Sequence, residues 1–232
     1  MDNNLLRIKF TQRLNKQTSQ DYDNLDCWAI AEAFNKAQLE WVRRQLHGMN
    51  PKKLGDEQST ARIDDLQVLL QSLDLKGSNQ KLFFESLSLP PDYLGFKRVS
   101  APAKTTACPE RTLTVYLAEE ADTDLLLVDK FKEPDFSWAE TFCTLFGNAV
   151  RIYTDDKFEI VNPRLIYYRK PRPVKFPGCI DPSTGAVTDD QTSELKDDVV
   201  ELIIDEAVSI MAGDLEQASQ FQRNSQNAER NN

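Results

Sequence analysis

The side chains able to do chemistry in this sequence are few and scattered. His47 is its single histidine, and it stands beside Gly48 at the end of a helical pattern. There an imidazolium would oppose the negative end of the helix dipole, a structural role. A Ser-His-Asp triad or a Cys-His pair would have to use this one residue, and no nucleophile motif surrounds Cys27, Cys108, Cys143 or Cys179. The cysteines stand far apart with no CxxC pair, so neither a zinc site nor a dithiol redox motif is spelled out, and four free thiols are expected. Glu119, Glu120, Asp122 and Asp124 cluster, but without the spacing of a glycosidase pair or an EF-hand, and they read as a solvated acidic face. No glycine loop could cradle a phosphate, since Gly77-Ser78 and Gly147-Asn148 read as turns. The expectation is a protein that is not an enzyme, with no catalytic residue, metal or cofactor. A carboxylate-bound metal enzyme is the contrary reading, and it requires stabilisation by magnesium or manganese.

A different signal lies in the segregation of charge. Residues 164–175 carry Arg164, Arg169, Lys170, Arg172 and Lys175 and no acid, interleaved with Tyr167 and Tyr168. Residues 181–206 hold nine acids against the single base Lys196. Two arrangements fit. In one, the basic strand of one subunit faces the acidic helix start of a neighbour in a head-to-tail contact. In the other, the two segments face each other within a single subunit. On the first arrangement the candidate interface comprises Arg164, Tyr167, Tyr168, Arg169, Lys170, Arg172 and Lys175 with Asp197, Asp198, Val200, Glu201 and Ile204. A nucleic-acid-binding regulatory module is the alternative use of the basic-aromatic segment 164–175. A net charge of −9 works against it, because the field of the whole chain repels phosphate.

The elements that would position these residues follow from hydrophobic spacing. Residues 21–46 read as a helix, with Ile30, Phe34, Ala37 and Trp41 on one face, stopped by Gly48 and Pro51. Residues 62–75 repeat the pattern through Ile63, Leu66, Leu69, Leu70 and Leu73. From about Lys81 the texture changes to short β-branched and aromatic runs punctuated by prolines. Strands are expected at 113–118, 149–154 and 158–161 and from Arg164, with a turn at 154–157 and a short helix over 120–130 that buries Leu125, Leu126 and Val128. Four prolines and two glycines in 171–185 predict an extended arm. Residues 196–213 form a helix, with Val199, Leu202, Ile203, Ala207 and Ile210 on one stripe and Val200, Ile204 and Val208 on a second. So wide an apolar face needs covering on more than one side, and a neighbouring subunit would serve.

The expected class is α+β. A helical layer comes from N-terminal helices (1–80) and a C-terminal helix (196–215), and a mainly antiparallel sheet (81–170) lies between them in sequence. A Pro-rich arm (171–195) and a polar tail (216–232) complete one elaborated domain, and arm and tail are expected to reach neighbours. No apolar run approaches the roughly 20 residues a bilayer span needs. The first residues, MDNNLLRIKFTQRL, lack a secretory pattern, so synthesis in a cytoplasm is expected.

Three stretches carry a family resemblance: DYDNLDCWAIAEAFNKAQLEWVRRQ from Asp21, FKEPDFSWAETFCTLFGNAVRIYTDDKFEIVNPRLIYYRKPRPVKFPG from Phe131, and LKDDVVELIIDEAVSIMAGDLEQASQFQRNSQNAE from Leu195. Notable strings are Phe136-Ser137-Trp138 to Glu140, Tyr-Tyr-Arg-Lys-Pro and the acid-opened last helix. Together they resemble the neck and tail ring proteins, or head-to-tail connectors, of crAss-like and related short-tailed bacteriophages. The resemblance implies a virion protein made in the host cytoplasm, forming a ring homo-oligomer, a dodecamer. It implies portal protein and other neck and tail rings as partners, and passage of genomic DNA through the ring without specific binding.

Overall fold

The structure is a computed structural model, and it describes residues 1–18, 25–47, 64–106 and 108–215. Among these the helices are α1 (Asn3–Thr18), α2 (Cys27–His47), α3 (Thr123–Val128) and α4 (Asp197–Leu215). The strands are β1 (Leu70–Asp74), β2 (Gly77–Asn79), β3 (Phe83–Ser86), β4 (Tyr93–Lys104), β5 (Arg111–Leu117), β6 (Glu140–Phe146), β7 (Ala149–Tyr153), β8 (Glu159–Ile160) and β9 (Arg164–Arg169). The chain is α+β, as its patterning predicts. It divides into two compact units, residues 69–170 and residues 1–68 with 171–232.

The 69–170 unit is a nine-stranded sheet in the order β1-β9-β4-β5-β6-β7-β3-β2, with β8 also on β4. Every pairing is antiparallel except β5 with β6. Alternation puts Val99, Ala101, Leu113, Cys143, Val150, Ile152 and Leu165 on one face, where Phe84, Phe158 and Ile160 join them in a core. Register shifts at Tyr93/Gly95 and Phe96/Arg98 mark bulges in the long strand β4, which pairs with β9 first and then with β5 and β8. The expected turn at 154–157 is present: the Lys157 amide donates to the Thr154 carbonyl at 3.0 Å, with Asp155 and Asp156 at positive φ.

Two expectations for this unit are corrected. The helix over 62–75 ends early: residues 64–66 are helical, 67–69 form a 3-10 turn and 70–74 are the edge strand β1 on β9, while 62 and 63 lie outside the described residues. The unit therefore begins at residue 69, not 81. Leu66, Leu69, Leu70 and Leu73 have helical spacing, but Leu73 and Leu75 also alternate, and pairing with β9 places Leu75 in the sheet core. In the short helix only Leu126 is buried, while Leu125 and Val128 are 71% and 81% exposed.

In the other unit, α4 packs against both α1 and α2. Helix α1 was not expected from the sequence, yet Leu6, Phe10 and Leu14, four residues apart, are fully buried along one side of it. Ile30, Phe34, Ala37 and Val42 of α2 and Val200, Ile203, Ile204, Ala207 and Val208 of α4 are buried too. Each such Val, Leu, Ile or Phe side chain contributes about 1.5–3 kcal/mol by leaving water. The apolar circumference of α4 is thus covered by its own chain, with Leu202 left 59% exposed.

The Pro-rich segment is also packed within its own unit. Val174, Phe176 and Cys179 are buried. The Asn35 side chain accepts from the Val174 amide at 2.6 Å and donates to its carbonyl at 3.0 Å, while Gln38 donates to the Arg172 carbonyl at 3.0 Å. A short ladder joins Lys175 to Gln191. Two side-chain amides on α2, the half-buried Asn35 and the buried Gln38, thereby supply the hydrogen bonds that a proline-broken backbone cannot find in a sheet. A disulfide links Cys27 to Cys179 across Cα atoms 6.0 Å apart, correcting the expectation of four free thiols; Cys108 and Cys143 are free. The stop at Gly48 and Pro51 and the 216–232 tail lie outside the described residues.

Candidate interaction surface

The residues proposed as an interface fall in both units, Arg164 to Lys170 in the sheet unit and Arg172, Lys175 and the α4 residues in the other. Arg164 sits at an exposed end of β9 and pairs with Asp74 at 2.8 Å. Tyr167 and Tyr168 are 5% and 6% exposed. The Tyr167 hydroxyl donates to Asp92 at 3.1 Å, its ring stacks on Tyr93, and Lys97 lies over the Tyr168 ring at 5.9 Å. Arg169 is buried and donates to the Lys170 carbonyl, and the Lys170 ammonium reaches the Pro91 carbonyl at 3.4 Å. Arg172 and Lys175 belong to the other unit, where Glu194 accepts from the Arg172 amide at 3.0 Å. At the start of α4, Asp197 binds the chain's terminal amine, Glu201 pairs with Lys9 and Arg13, and Asp198 is exposed. Val200 and Ile204 are fully buried. Arg164, Asp197 and Glu201 are thus paired within their own units, Lys175 and Asp198 are exposed, and four of the twelve candidates, Tyr167, Tyr168, Val200 and Ile204, are core.

Four of the five most exposed large apolar side chains of the sheet unit lie in the connection between β5 and β6. Parallel neighbours cannot be joined by a tight turn and need a crossover, which here runs through residues 118–139 and carries α3. On the strand side, Leu126 packs with Phe142 and Tyr153, whose rings stack at 4.6 Å, and this seats α3 on the sheet. Outward, Leu125, Val128, Phe131 and Trp138 are 71–87% exposed. Tyr116, Leu126 and Phe131 line a cleft of about 300 Å³ with Lys132, Glu133 and Glu140.

Local hydrogen bonds hold these aromatics in place. The Asp129 carboxylate accepts from the Phe131 amide at 3.0 Å, and the Asp135 carboxylate accepts from the amides of Ser137 at 2.6 Å and Trp138 at 2.9 Å. Such Asx turns fix a backbone direction without regular structure. The Arg111 guanidinium donates to the Phe136 and Ser137 carbonyls, and the Tyr116 hydroxyl to the Lys132 carbonyl at 3.3 Å. Burial and then the Glu140 and Asp129 carboxylates push the Tyr116 phenol up, so it stays a neutral donor at ordinary pH. Two cations brace the rim. Arg151 binds Glu85 at 2.9 Å and Glu120 at 3.2 Å while lying 3.7 Å over Phe146. Lys157 binds Glu133 at 2.9 Å and Asp155 at 3.0 Å. Burial alone would lower the Lys157 ammonium, but the hydrogen bonds to these two carboxylates outweigh it and raise the pKa.

Sequence reasoning read the acids of this crossover as a solvated face, expected Leu125 and Val128 to be buried, and drew nothing from the exposure of Phe131 and Trp138. Phe131 and Trp138, large aromatics among Asp, Lys and Pro residues, were the available signal. Among the described residues no cluster of three or more His, Cys, Asp or Glu could hold a metal ion, and no helix is long and apolar enough to cross a membrane. Burial pushes the Cys143 thiol up to about 12, which leaves it inert as a nucleophile. Comparison with protein-family models gives no match, and comparison with curated proteins gives none either.

Proposed function

We propose that the chain is a structural subunit that assembles with copies of itself into a ring, joining portal to tail in a short-tailed bacteriophage virion. The observation that carries assembly is the crossover surface: Leu125, Val128, Phe131 and Trp138 are 71–87% exposed, Asx turns fix the backbone at Phe131 and Trp138, and Phe131 lines a cleft. Exposed apolar groups fixed in this way mark a place where another protein sits. The placement in a phage neck or tail rests on the sequence resemblance. The charge of −9 per copy suits a conduit, because a negatively charged wall does not retain the DNA passing through it.

The nucleic-acid-binding alternative draws less support, because Tyr167 and Tyr168 are buried and cannot stack on bases, and Arg164 is paired with Asp74. Electron microscopy of the purified full-length chain, alone and mixed with portal protein, tests the proposal. Annular particles with rotational symmetry are expected. Single copies under both conditions would reject it.

A further inference from the structure

The crossover surface constrains what can cover it. Residues 117–140 hold eight acids against two bases. Arg151 and Lys157 neutralise Glu120 and Glu133, but the rest of the segment still carries net negative charge around Phe131 and Trp138. Like charge disfavours a symmetric contact of this surface with itself, and phosphate-bearing ligands are repelled by the same acids. A fitting occupant is therefore a protein element that is apolar and basic at once.

Such an element exists on this chain. Helix α1, NNLLRIKFTQRLNKQT, has four bases and no acid. Its buried stripe of Leu6, Phe10 and Leu14 faces α4, with Lys9 and Arg13 tied to Glu201. The opposite side presents Leu5 at 44% and Ile8 at 54% exposure, and exposed Arg7 flanks Ile8 about a quarter-turn away. It is the one α-helix among the described residues that combines exposed large apolar side chains with a complete lack of acids.

Resting on the assembly reading above, we infer that the outward stripe of α1 in one copy docks on the β5–β6 crossover of the next. Leu5 and Ile8 enter the cleft beside Tyr116 and Phe131, and Arg7 meets the acidic rim. Two different patches of each subunit are used, so the contact is head-to-tail and can propagate around a ring. It is a helix laid in an apolar groove, with charge setting the partner and the direction.

Site-directed disulfide trapping tests this directly, with Cys108→Ser removing the exposed free thiol in every sample. One preparation carries Ile8→Cys and another Phe131→Cys, both at exposed positions that leave the cores intact. Mild oxidation by glutathione disulfide is expected to give a linked dimer when the two preparations are mixed, and none from either alone. A dimer of Phe131→Cys with itself would overturn the inference in favour of a symmetric contact. No linked dimer in the mixture, while the chain without these two cysteines still oligomerises by sedimentation, overturns the α1 docking and leaves the ring reading standing. A chain that sediments as a single copy throughout removes both.

Discussion

Ile204 and Leu202 lie two residues apart on one helix, and they separate a core role from a surface role. Ile204 is fully buried against its own chain, so Ile204→Ala is expected to cost about 2–5 kcal/mol in chemical denaturation through lost burial and the cavity left behind. Leu202→Ala, at a position 59% exposed, should stay within about 0.5 kcal/mol. Comparable losses at both sites would mean that α4 is covered differently. Hydrophobic spacing could not make this distinction, since a helix apolar almost all round does not say which stripe faces inward, nor whether the cover comes from the same chain. The charged residues were equally ambiguous. Asp197 and Glu201 look available in the sequence, but the terminal amine, Lys9 and Arg13 occupy them.

Those ion pairs give acid stability a defined sign. Hydrogen bonding from Lys9, partly offset by burial and reinforced by Arg13, holds the Glu201 carboxyl below its usual value of 4.5. Its contribution is complete above that value and is lost as pH falls through the lower folded one. Glu206 behaves oppositely: burial pushes it up against the pull of Arg44, and Glu40 adds to the rise, so stability declines as pH climbs from 4.5 through the raised value. Denaturation midpoints against pH should therefore show a shallower acid loss in Glu201→Gln and a reduced decline above pH 4.5 in Glu206→Gln. Unchanged profiles in both variants would contradict the assigned pairings.

At the scale of elements, what the sequence disclosed depended on how local the determining forces were. β5, β7, β9 and α4 were legible because β-branched runs, turn residues and an acid-opened apolar helix each encode their own conformation. β1 was not, because Leu66, Leu69, Leu70 and Leu73 carry a helical spacing and the pairing with β9 overrides it. The Pro-rich segment was correctly read as irregular, but its destination was hidden. Proline forbids a ladder and says nothing about Asn35 and Gln38, which bind the segment to α2. The Cys27–Cys179 disulfide ties the same two elements across 152 residues of sequence, a separation that no spacing rule reads. Cys27→Ser is expected to lower stability by about 2–4 kcal/mol in oxidising buffer and to match the unaltered chain in excess dithiothreitol. An equal deficit in both buffers would show that the loss comes from packing and not from the cross-link.

For the whole molecule, both units bury a core of their own, and the two most exposed aromatics among the described residues, Phe131 and Trp138, belong to one crossover. The sequence alone directed attention to charge segregation between 164–175 and 181–206, of which Arg164, Asp197 and Glu201 are paired within their own units. The surface proposed for assembly lies elsewhere, because exposure is a property of the folded sheet and cannot be read from the order of residues. The most direct measurement is sedimentation velocity of the full-length chain from micromolar to near-millimolar concentration, beside Phe131→Asp and Trp138→Asp. The account predicts a concentration-dependent oligomer for the unaltered chain and a shift toward single copies in both variants, with their thermal stability retained. Identical sedimentation of all three proteins as single copies would contradict it.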